Sequence, residues 1–192
     1  MIAGVLLAAG AGRRFGPAPK LLSPLPDGTP IAEAAARSLT AAGLDRCLAV
    51  VRPGDVALAR RLTGAGMEVL ACSASARGMG ASLAAGVAEA AAADGWVIAL
   101  GDMPWIAPAT VAAVANQVRA GALLAAPAHE GRGGHPVGFG AALGGALRAL
   151  DGEAGARAVV AAHRDRLVRV PVTDPGVLRD VDEPGDLPTA TD

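Results

Sequence analysis

The hydrophobic positions of the chain form short apolar runs that alternate with alanine-rich amphipathic segments. The first run, Ile2–Ala8, has no polar residue, which is typical of a strand that is covered on both faces. The other predicted strands are Cys47–Val51, Glu68–Ala71, Trp96–Leu100, Leu123–Ala126, Val137–Phe139 and Leu167–Val172. Strands and helices alternate with a spacing of roughly 20–25 residues, which indicates βαβ units and a mainly parallel sheet.

Local start and stop signals predict the helices between these strands. Thr29 is expected to be the N-cap of the first helix, with Pro30 at its first position and Gly43 just after its end. Asp55 is expected to cap a second helix that ends at Gly64. The remaining predicted helices are Leu83–Ala93, Pro108–Ala120, Ala141–Leu150 and Glu153–Ala162. Ligands in such sheets bind beyond the carboxyl ends of the strands, so the loops there are the candidate sites.

Length and composition limit the class of protein. A chain of 192 residues predicts a single domain, residues 1–192. An apolar content of 52% with a net charge of −1 excludes a disordered chain, and 2% aromatic residues with no basic excess argue against nucleic-acid binding. No apolar stretch is long and uncharged enough for a membrane span. Cys47 and Cys72 stand far apart in apolar surroundings, so we expect free thiols and a reducing cytoplasm.

The loop after the first run is rich in glycine and basic residues. It reads Leu7-Ala8-Ala9-Gly10-Ala11-Gly12-Arg13-Arg14-Phe15-Gly16, followed by Pro17-Ala18-Pro19-Lys20-Leu21-Leu22. Glycines let backbone N–H groups approach an anion, and basic side chains bind phosphate oxygens; an ordinary glycine-rich turn is the alternative. The spacing fits neither a P-loop nor a dinucleotide-binding fingerprint. Lys20 is the only lysine among the 17 basic residues.

Acidic residues follow two other predicted elements. Asp102 lies in Gly101-Asp102-Met103-Pro104, directly after a buried strand, where it is either a metal ligand or the N-cap of the next helix. Asp180 and Asp182 lie near the C-terminus, on the same side of an extended segment, where a solvated acidic tail is the alternative.

The first loop resembles the signature of the MobA-like nucleotidyltransferases, Leu-Ala-Ala-Gly-x-Gly-x-Arg followed by Pro-Lys-Leu-Leu. The resemblance implies a single Rossmann-like, three-layer α/β domain that binds a nucleoside triphosphate in this loop. It implies that the triphosphate is held by Gly10, Gly12, Arg14 and Lys20, with Ala8, Ala9 and Arg13 also binding the nucleotide.

Further residues are carried over from the same resemblance. Asp102 and Asp182 are implied to bind Mg²⁺, with Asp180 as the alternative to Asp182. Gly80 and Ser82, in Gly78-Met79-Gly80-Ala81-Ser82-Leu83, are implied to contact the nucleotide, although Ser82 also fits a helix N-cap. His135, in Gly133-Gly134-His135-Pro136-Val137-Gly138-Phe139, is implied to border the acceptor and to bind its phosphate, although it also fits a surface residue.

The implied activity is in-line transfer of a nucleotidyl group with release of pyrophosphate. The Ala9 form of the loop favours CTP, and the best match is a molybdopterin cytidylyltransferase, so molybdopterin is the expected acceptor. A molybdenum hydroxylase or its chaperone is then the expected protein partner. The alternatives are a guanylyltransferase or another cytidylyltransferase of the family, or a nicotinamide-dependent reductase or accessory protein on the same scaffold.

Overall fold

The structure is a computed structural model, and it describes residues 1–10, 12, 15–16 and 18–187. In this part of the chain all strands belong to a single sheet. They are β1 (Ile2–Leu7), β2 (Arg46–Val51), β3 (Glu68–Ala71), β4 (Gly95–Leu100), β5 (Leu124–His129), β6 (Arg132–Gly133), β7 (Val137–Gly140) and β8 (Leu167–Pro171). The helices are α1 (Ile31–Thr40), α2 (Val56–Gly64), α3 (Met79–Glu89), α4 (Pro108–Arg119), α5 (Gly144–Arg148) and α6 (Arg157–Ala162).

The strands follow the order β3-β2-β1-β4-β7-β5, and β5 also pairs with β6 and β8. The first four strands are parallel to one another, and β8 is parallel to β5. The two exceptions are β7, which is antiparallel to β4 and β5, and β6, which is antiparallel to β5. The mainly parallel sheet is therefore confirmed, with an antiparallel insertion that the sequence pattern did not predict.

The residues of β1 show how the sheet separates two helical layers. Ile2 and Leu6 pack into one apolar cluster, whose helical residues come from α1, α2 and α4. Val5 and Leu7 pack into the other cluster, with residues of α3, α5 and α6. Successive side chains of a strand point to opposite faces, so an uninterrupted apolar run is what a middle strand needs. The expected three-layer α/β fold is confirmed.

The predicted starts of the helices are partly wrong. The N-cap of α1 is Pro30 instead of Thr29, because Pro30 is extended (φ −60°, ψ 143°) and the Thr29 carbonyl accepts a hydrogen bond from Leu25 N–H at 2.8 Å. Asp55 does occupy the N-cap of α2, but its carboxylate accepts a hydrogen bond from Arg52 at 3.1 Å and caps no backbone group.

Two later segments also differ from the prediction. α3 begins at Met79, so Ser82 lies inside its first turn and is not its N-cap. The helix expected at Glu153–Ala162 is shorter and begins at Arg157, since Gly155 has a left-handed backbone with φ +55°. Within the part of the chain that the structure describes, no helix is long and apolar enough to cross a membrane. Cys47 and Cys72 are both free, as expected.

Candidate active site

A cleft of about 620 Å³ opens at the carboxyl ends of the first four strands. This volume is within the range of small-molecule sites, and the position is where ligands bind in sheets of this class. Its lining comes from the ends of β1 and β4, the loops after the first four strands and the start of α3, together with one residue before α6 and one near the C-terminus. The predicted site residues that line it are Ala9, Gly10, Gly12, Lys20, Ser82, Asp102 and Asp182.

The ammonium group of Lys20 connects the two predicted metal-binding acids. Its Nζ atom lies 2.8 Å from Oδ2 of Asp102 and 3.3 Å from Oδ1 of Asp182. The Lys20 side chain is only 8% exposed, whereas the two carboxylates are 28% and 39% exposed. Asp102 and Asp182, which lie 82 and 162 positions after Lys20 in the chain, therefore both contact its ammonium group. The ammonium group compensates part of the charge of the two carboxylates, so its removal would leave two negative charges close together.

The glycine loop lies directly against the lysine. Gly12 has φ +57°, and a Cβ atom at this position would meet Cβ of Lys20 at 3.0 Å. None of the described residues has an atom within 4 Å of the position that a Cβ of Gly10 would take, so they leave room for a ligand to approach its backbone. Ala8 is buried, and its N–H donates to Val50 at 2.9 Å. Arg13 and Arg14 lie outside the described residues, so their expected phosphate contacts stay predictions.

Asp102 is held by its neighbours at the end of β4. The N–H of Gly101 donates to the Leu7 carbonyl at 2.9 Å, and a Cβ at Gly101 would meet that oxygen at 3.1 Å. The side chain of Met103 is buried on the other side. Asp102 is not the N-cap of the next helix, because that cap is Ala107 and α4 begins at Pro108. The alternative interpretation, in which Asp102 is only a helix N-cap, is therefore wrong.

Asp182 is brought to the cleft by a C-terminal backbone contact. The N–H of Val181 donates to the carbonyl of Asp102 at 2.9 Å, and the Val181 side chain is fully buried. The N–H groups of Asp182 and Glu183 both donate to Oδ2 of Asp186 at 2.7 Å, and these bonds lower the pKa of the Asp186 carboxyl. Asp182 lines the cleft and reaches Lys20, while Asp180 is exposed. This placement favours Asp182 over Asp180 as a ligand.

Gly80 and Ser82 differ in how they relate to the cleft. The N–H of Gly80 donates to the Gly152 carbonyl at 2.7 Å, and a Cβ at Gly80 would meet the Asp151 carbonyl at 2.6 Å. Close packing against the segment before α6 therefore accounts for this glycine. Ser82 is buried, its Oγ donates to the Gly78 carbonyl at 3.2 Å, and it lines the cleft. Nucleotide contact stays a prediction for both residues.

His135 is half-buried and not fully exposed. Burial lowers the pKa of its imidazole, and the negative charges of Asp102 and Asp180 oppose that effect only in part. Its Nδ1 atom is buried and has no hydrogen-bond partner among the residues that the structure describes. The backbone N–H of His135 donates to the Val177 carbonyl at 3.0 Å. His135 thus lies near Asp102 and Asp180, but it does not line the cleft, and its contact with an acceptor stays a prediction.

The cleft also contains residues that the sequence did not single out as site residues. Arg52 follows β2 and lines the same cleft as Gly10 and Lys20. Ser75 comes from the turn before α3, and Glu153 from the segment before α6. Arg52 comes at the end of a predicted strand, as Asp102 does, so its position alone could have identified it as a candidate site residue. Nothing in the sequence pattern marks Ser75 or Glu153.

The acidic residues fit a divalent cation that also binds the substrate. Among the described residues, no group of three or more His, Cys, Asp or Glu side chains could hold a metal ion by itself. Asp102 and Asp182 nevertheless present oxygen atoms to one positive charge, that of Lys20. Mg²⁺ prefers oxygen ligands and is usually bound by one or two carboxylates together with waters and substrate phosphates. These residues therefore suit a metal ion that arrives with a phosphorylated ligand.

Known proteins resemble this chain in sequence and in fold. Nicotine blue oxidoreductase of Paenarthrobacter nicotinovorans is 32% identical over 164 residues, which cover 81% of this chain and 79% of that protein. The crystal structure of Rv0371c from Mycobacterium tuberculosis H37Rv has a TM-score of 0.83 at 30% identity, over 96% of this chain and 94% of that one. A structure of Rv0371c in complex with manganese has a TM-score of 0.72 at 28% identity, over 89% and 88% of the two chains.

A further solved structure is that of Mth528, a nucleotidyl transferase from Methanothermobacter thermautotroptrophicus. Its TM-score is 0.82 at 28% identity, over 97% of this chain and 94% of that one. The family model described as the MobA-like NTP transferase domain matches residues 4–167, which include the glycine loop, Lys20 and Asp102. The chain therefore belongs to the MobA-like NTP transferase family, as the resemblance of its first loop predicted.

Proposed function

We propose that the protein transfers a nucleotidyl group from a nucleoside triphosphate, preferably CTP, to a phosphorylated acceptor of the molybdopterin type and releases pyrophosphate. The observation that carries this proposal is the contact of Lys20 with both Asp102 and Asp182 inside the cleft. Membership of an NTP transferase family supports the reaction class. The preference for CTP rests on Ala9 in the first loop, and the acceptor rests on the segment that contains His135.

In this reaction an oxygen of the acceptor phosphate attacks the α-phosphorus of the triphosphate. A new P–O bond forms as the bond between the α-phosphorus and the bridging oxygen breaks, and pyrophosphate takes that electron pair. The acceptor phosphate is already anionic, so no protein base has to remove a proton. Catalysis then depends on positioning the reactants and on stabilising negative charge.

The chain supplies groups for both tasks. Lys20 lines the cleft, where it can donate to phosphate oxygens, and the described residues leave the backbone at Gly10 open to a ligand. One well-placed donor of this kind contributes about 3–4 kcal/mol to the transition state, or about 10²–10³ in rate. Asp102 and Asp182 would hold a divalent cation such as Mg²⁺. That ion, when bound, supplies charge neutralisation at the phosphate oxygens.

The acceptor side of the site includes His135. Its pKa is lowered by burial, so the imidazole is neutral near pH 7. We place His135 there because of the sequence segment that contains it; its Nδ1 atom is enclosed and has no hydrogen-bond partner among the described residues. The free thiols of Cys47 and Cys72 support the reducing cytoplasm in which we place the reaction.

The proposal is tested by supplying the protein with Mg²⁺, molybdopterin and each of four α-³²P-labelled nucleoside triphosphates in turn. We expect label to move to the acceptor fastest from CTP. Faster transfer from GTP would overturn the CTP preference but leave the reaction class intact. If no triphosphate donates label, and NADPH is instead consumed with an oxidised acceptor, the transferase proposal is wrong. Asp165→Asn, at an exposed carboxylate, is a matched control for acidic-site variants.

A further inference from the structure

Asp174 makes a set of contacts that the proposed reaction does not explain. It lies in the C-terminal segment, residues 172–187, which follows β8 and carries Asp182. Its Oδ2 atom accepts hydrogen bonds from the backbone N–H of Ala107 at 2.8 Å and from Oγ1 of Thr110 at 2.7 Å. Its Oδ1 atom accepts from the N–H of Gly176 at 2.9 Å. Both oxygens of the carboxylate thus accept hydrogen bonds, and two of its three partners are more than 60 positions away.

Those distant partners belong to the start of α4. Ala107 is the N-cap of that helix and provides no side-chain cap of its own. Thr110 is in the first turn and is buried. Asp174 therefore supplies, from another part of the chain, the negative charge and acceptor that a helix N-terminus favours. The loop that precedes α4, residues 101–107, begins with Gly101 and Asp102.

Three more contacts join the C-terminal segment to the loop 101–107. Gly176 packs so closely on Trp105 that a Cβ there would meet the Trp105 carbonyl oxygen at 2.2 Å. The guanidinium of Arg179 lies 4.2 Å from the centre of the Trp105 ring. The N–H of Val181 donates to the carbonyl of Asp102 at 2.9 Å. The C-terminal segment therefore contacts the loop 101–107 and the start of α4 at several points between Asp174 and Val181, the residue before Asp182.

We propose that Asp174 is a positioning residue, which fixes the C-terminal segment against the start of α4 and so keeps the carboxylates of Asp102 and Asp182 facing the same cation. This inference rests on the proposed function for the role of the two acids. Asp174 itself does not line the cleft, so it acts through the backbone that connects it to them. Residues that orient metal ligands from outside the coordination sphere commonly change metal affinity by about 10–100-fold when they are replaced.

A purely structural helix cap makes a different prediction. Loss of such a cap would lower the melting temperature but leave the affinity of the folded protein for a divalent cation unchanged. A positioning residue affects that affinity in protein that is still folded. The distinguishing measurement is therefore metal binding at a temperature well below the melting transition.

The first variant is Asp174→Asn, which keeps the size of the side chain. An amide has only one acceptor oxygen, so in either orientation its NH₂ group faces at least one backbone or hydroxyl donor. Free Mn²⁺ is measured by electron paramagnetic resonance in the presence of a non-hydrolysable CTP analogue. We expect the variant to bind Mn²⁺ about 10-fold more weakly than wild type. The control Asp165→Asn removes one exposed carboxylate and should bind Mn²⁺ as wild type does.

The second variant, Thr110→Val, removes one donor to Asp174 without changing the shape of the side chain. It provides the test if Asp174→Asn does not fold, and we expect roughly threefold weaker Mn²⁺ binding. Thr110→Ser retains the hydroxyl group and should bind Mn²⁺ with the affinity of wild type. In the double variant the two losses should not add, because they remove the same interaction. Additive losses would contradict the proposed connection between these residues.

The outcomes separate this inference from the proposed function. Wild-type Mn²⁺ affinity in folded Asp174→Asn, or in folded Thr110→Val, overturns the positioning role even if the melting temperature falls. Wild-type protein that binds Mn²⁺ but transfers no nucleotidyl group from any triphosphate contradicts the proposed function alone. Wild-type protein that binds no Mn²⁺ with the analogue overturns both.

Discussion

Replacing Lys20 by methionine tests whether its ammonium group and a divalent cation bind at the same place, between Asp102 and Asp182. The substitution keeps much of the length of the side chain and removes its charge. Nζ of Lys20 contacts two carboxylates at 2.8 and 3.3 Å, and the lysine side chain is 8% exposed. Loss of one partner from a fully buried ion pair costs about 3–5 kcal/mol. The carboxylates are 28% and 39% exposed, so water offsets part of this cost and we expect about 1–3 kcal/mol.

The same geometry predicts opposite effects on metal binding and on catalysis. On the proposed function, a divalent cation would compete with the ammonium group for Asp102 and Asp182 in wild-type protein without nucleotide. Without that competitor, Lys20→Met should bind Mn²⁺ about 10-fold more tightly, which corresponds to about 1.4 kcal/mol. Its activity should nevertheless fall by about 10²–10³-fold, because a donor to the phosphates is lost. Lys20→Arg should also be impaired, since a planar guanidinium does not replace a compact ammonium group.

The assay combines thermal unfolding with and without Mn²⁺, Mn²⁺ titration and steady-state pyrophosphate release. For a chain of this length each kcal/mol corresponds to about 2–4 °C in melting temperature. Arg60→Met, at an exposed position of α2, is the matched control and should change none of the three readouts. Full activity in Lys20→Met would refute the role of the lysine in transfer. Unchanged or weaker Mn²⁺ binding would refute the idea that lysine and metal share the same two carboxylates.

Three further predictions concern the core, a thiol and the choice of metal ligand. Gly86→Ala should lower the free energy of unfolding by about 1–3 kcal/mol in urea titrations, because its Cβ would meet Val5 Cγ1 at 2.6 Å; unchanged stability would contradict this packing. Burial raises the pKa of Cys47 to about 11, so at pH 8 peptide mapping should show its alkylation on the order of 100-fold slower than that of a free cysteine, rising with pH; rapid labelling at pH 8 would refute this. Asp182→Asn should weaken Mn²⁺ binding and reduce transfer by about 10²-fold. Asp180→Asn should change both by less than about threefold, and the reverse order would make Asp180 the ligand.

Much of the fold could be predicted from the hydrophobic pattern alone. The first strand was clear because burial on both faces requires apolar residues at every position, as in Ile2–Leu7. Helix starts were predicted less well, because tertiary contacts override local signals. Asp55 occupies the predicted N-cap of α2, but its side chain pairs with Arg52 instead of capping the backbone. The start of α4 at Pro108 was predicted, but the donors at that start are satisfied by the distant Asp174. The antiparallel placement of β7 was not predicted, since a short strand has the same pattern in either direction.

The candidate site was predictable where residue type and position both carried information. Lys20, Asp102 and Asp182 were identified from the resemblance, and the structure brings them together. Gly80 was singled out for the nucleotide, but close packing against Asp151 already requires a glycine there. Ser75 and Glu153 were missed because they enter the cleft from turns without a recognisable pattern. The role of Asp174 depends on contacts across more than 60 residues, which a single sequence does not reveal.

The central claim is that Asp102, together with Lys20 and a divalent cation, catalyses nucleotidyl transfer. The most direct measurement is Mg²⁺-dependent pyrophosphate release from CTP in the presence of molybdopterin, with wild type, Asp102→Ala and Asp165→Asn side by side. The account predicts release by wild type and by Asp165→Asn, its loss on chelation of the metal, and a decrease of at least ~10²-fold in Asp102→Ala. Equal release by Asp102→Ala and wild type would contradict the account.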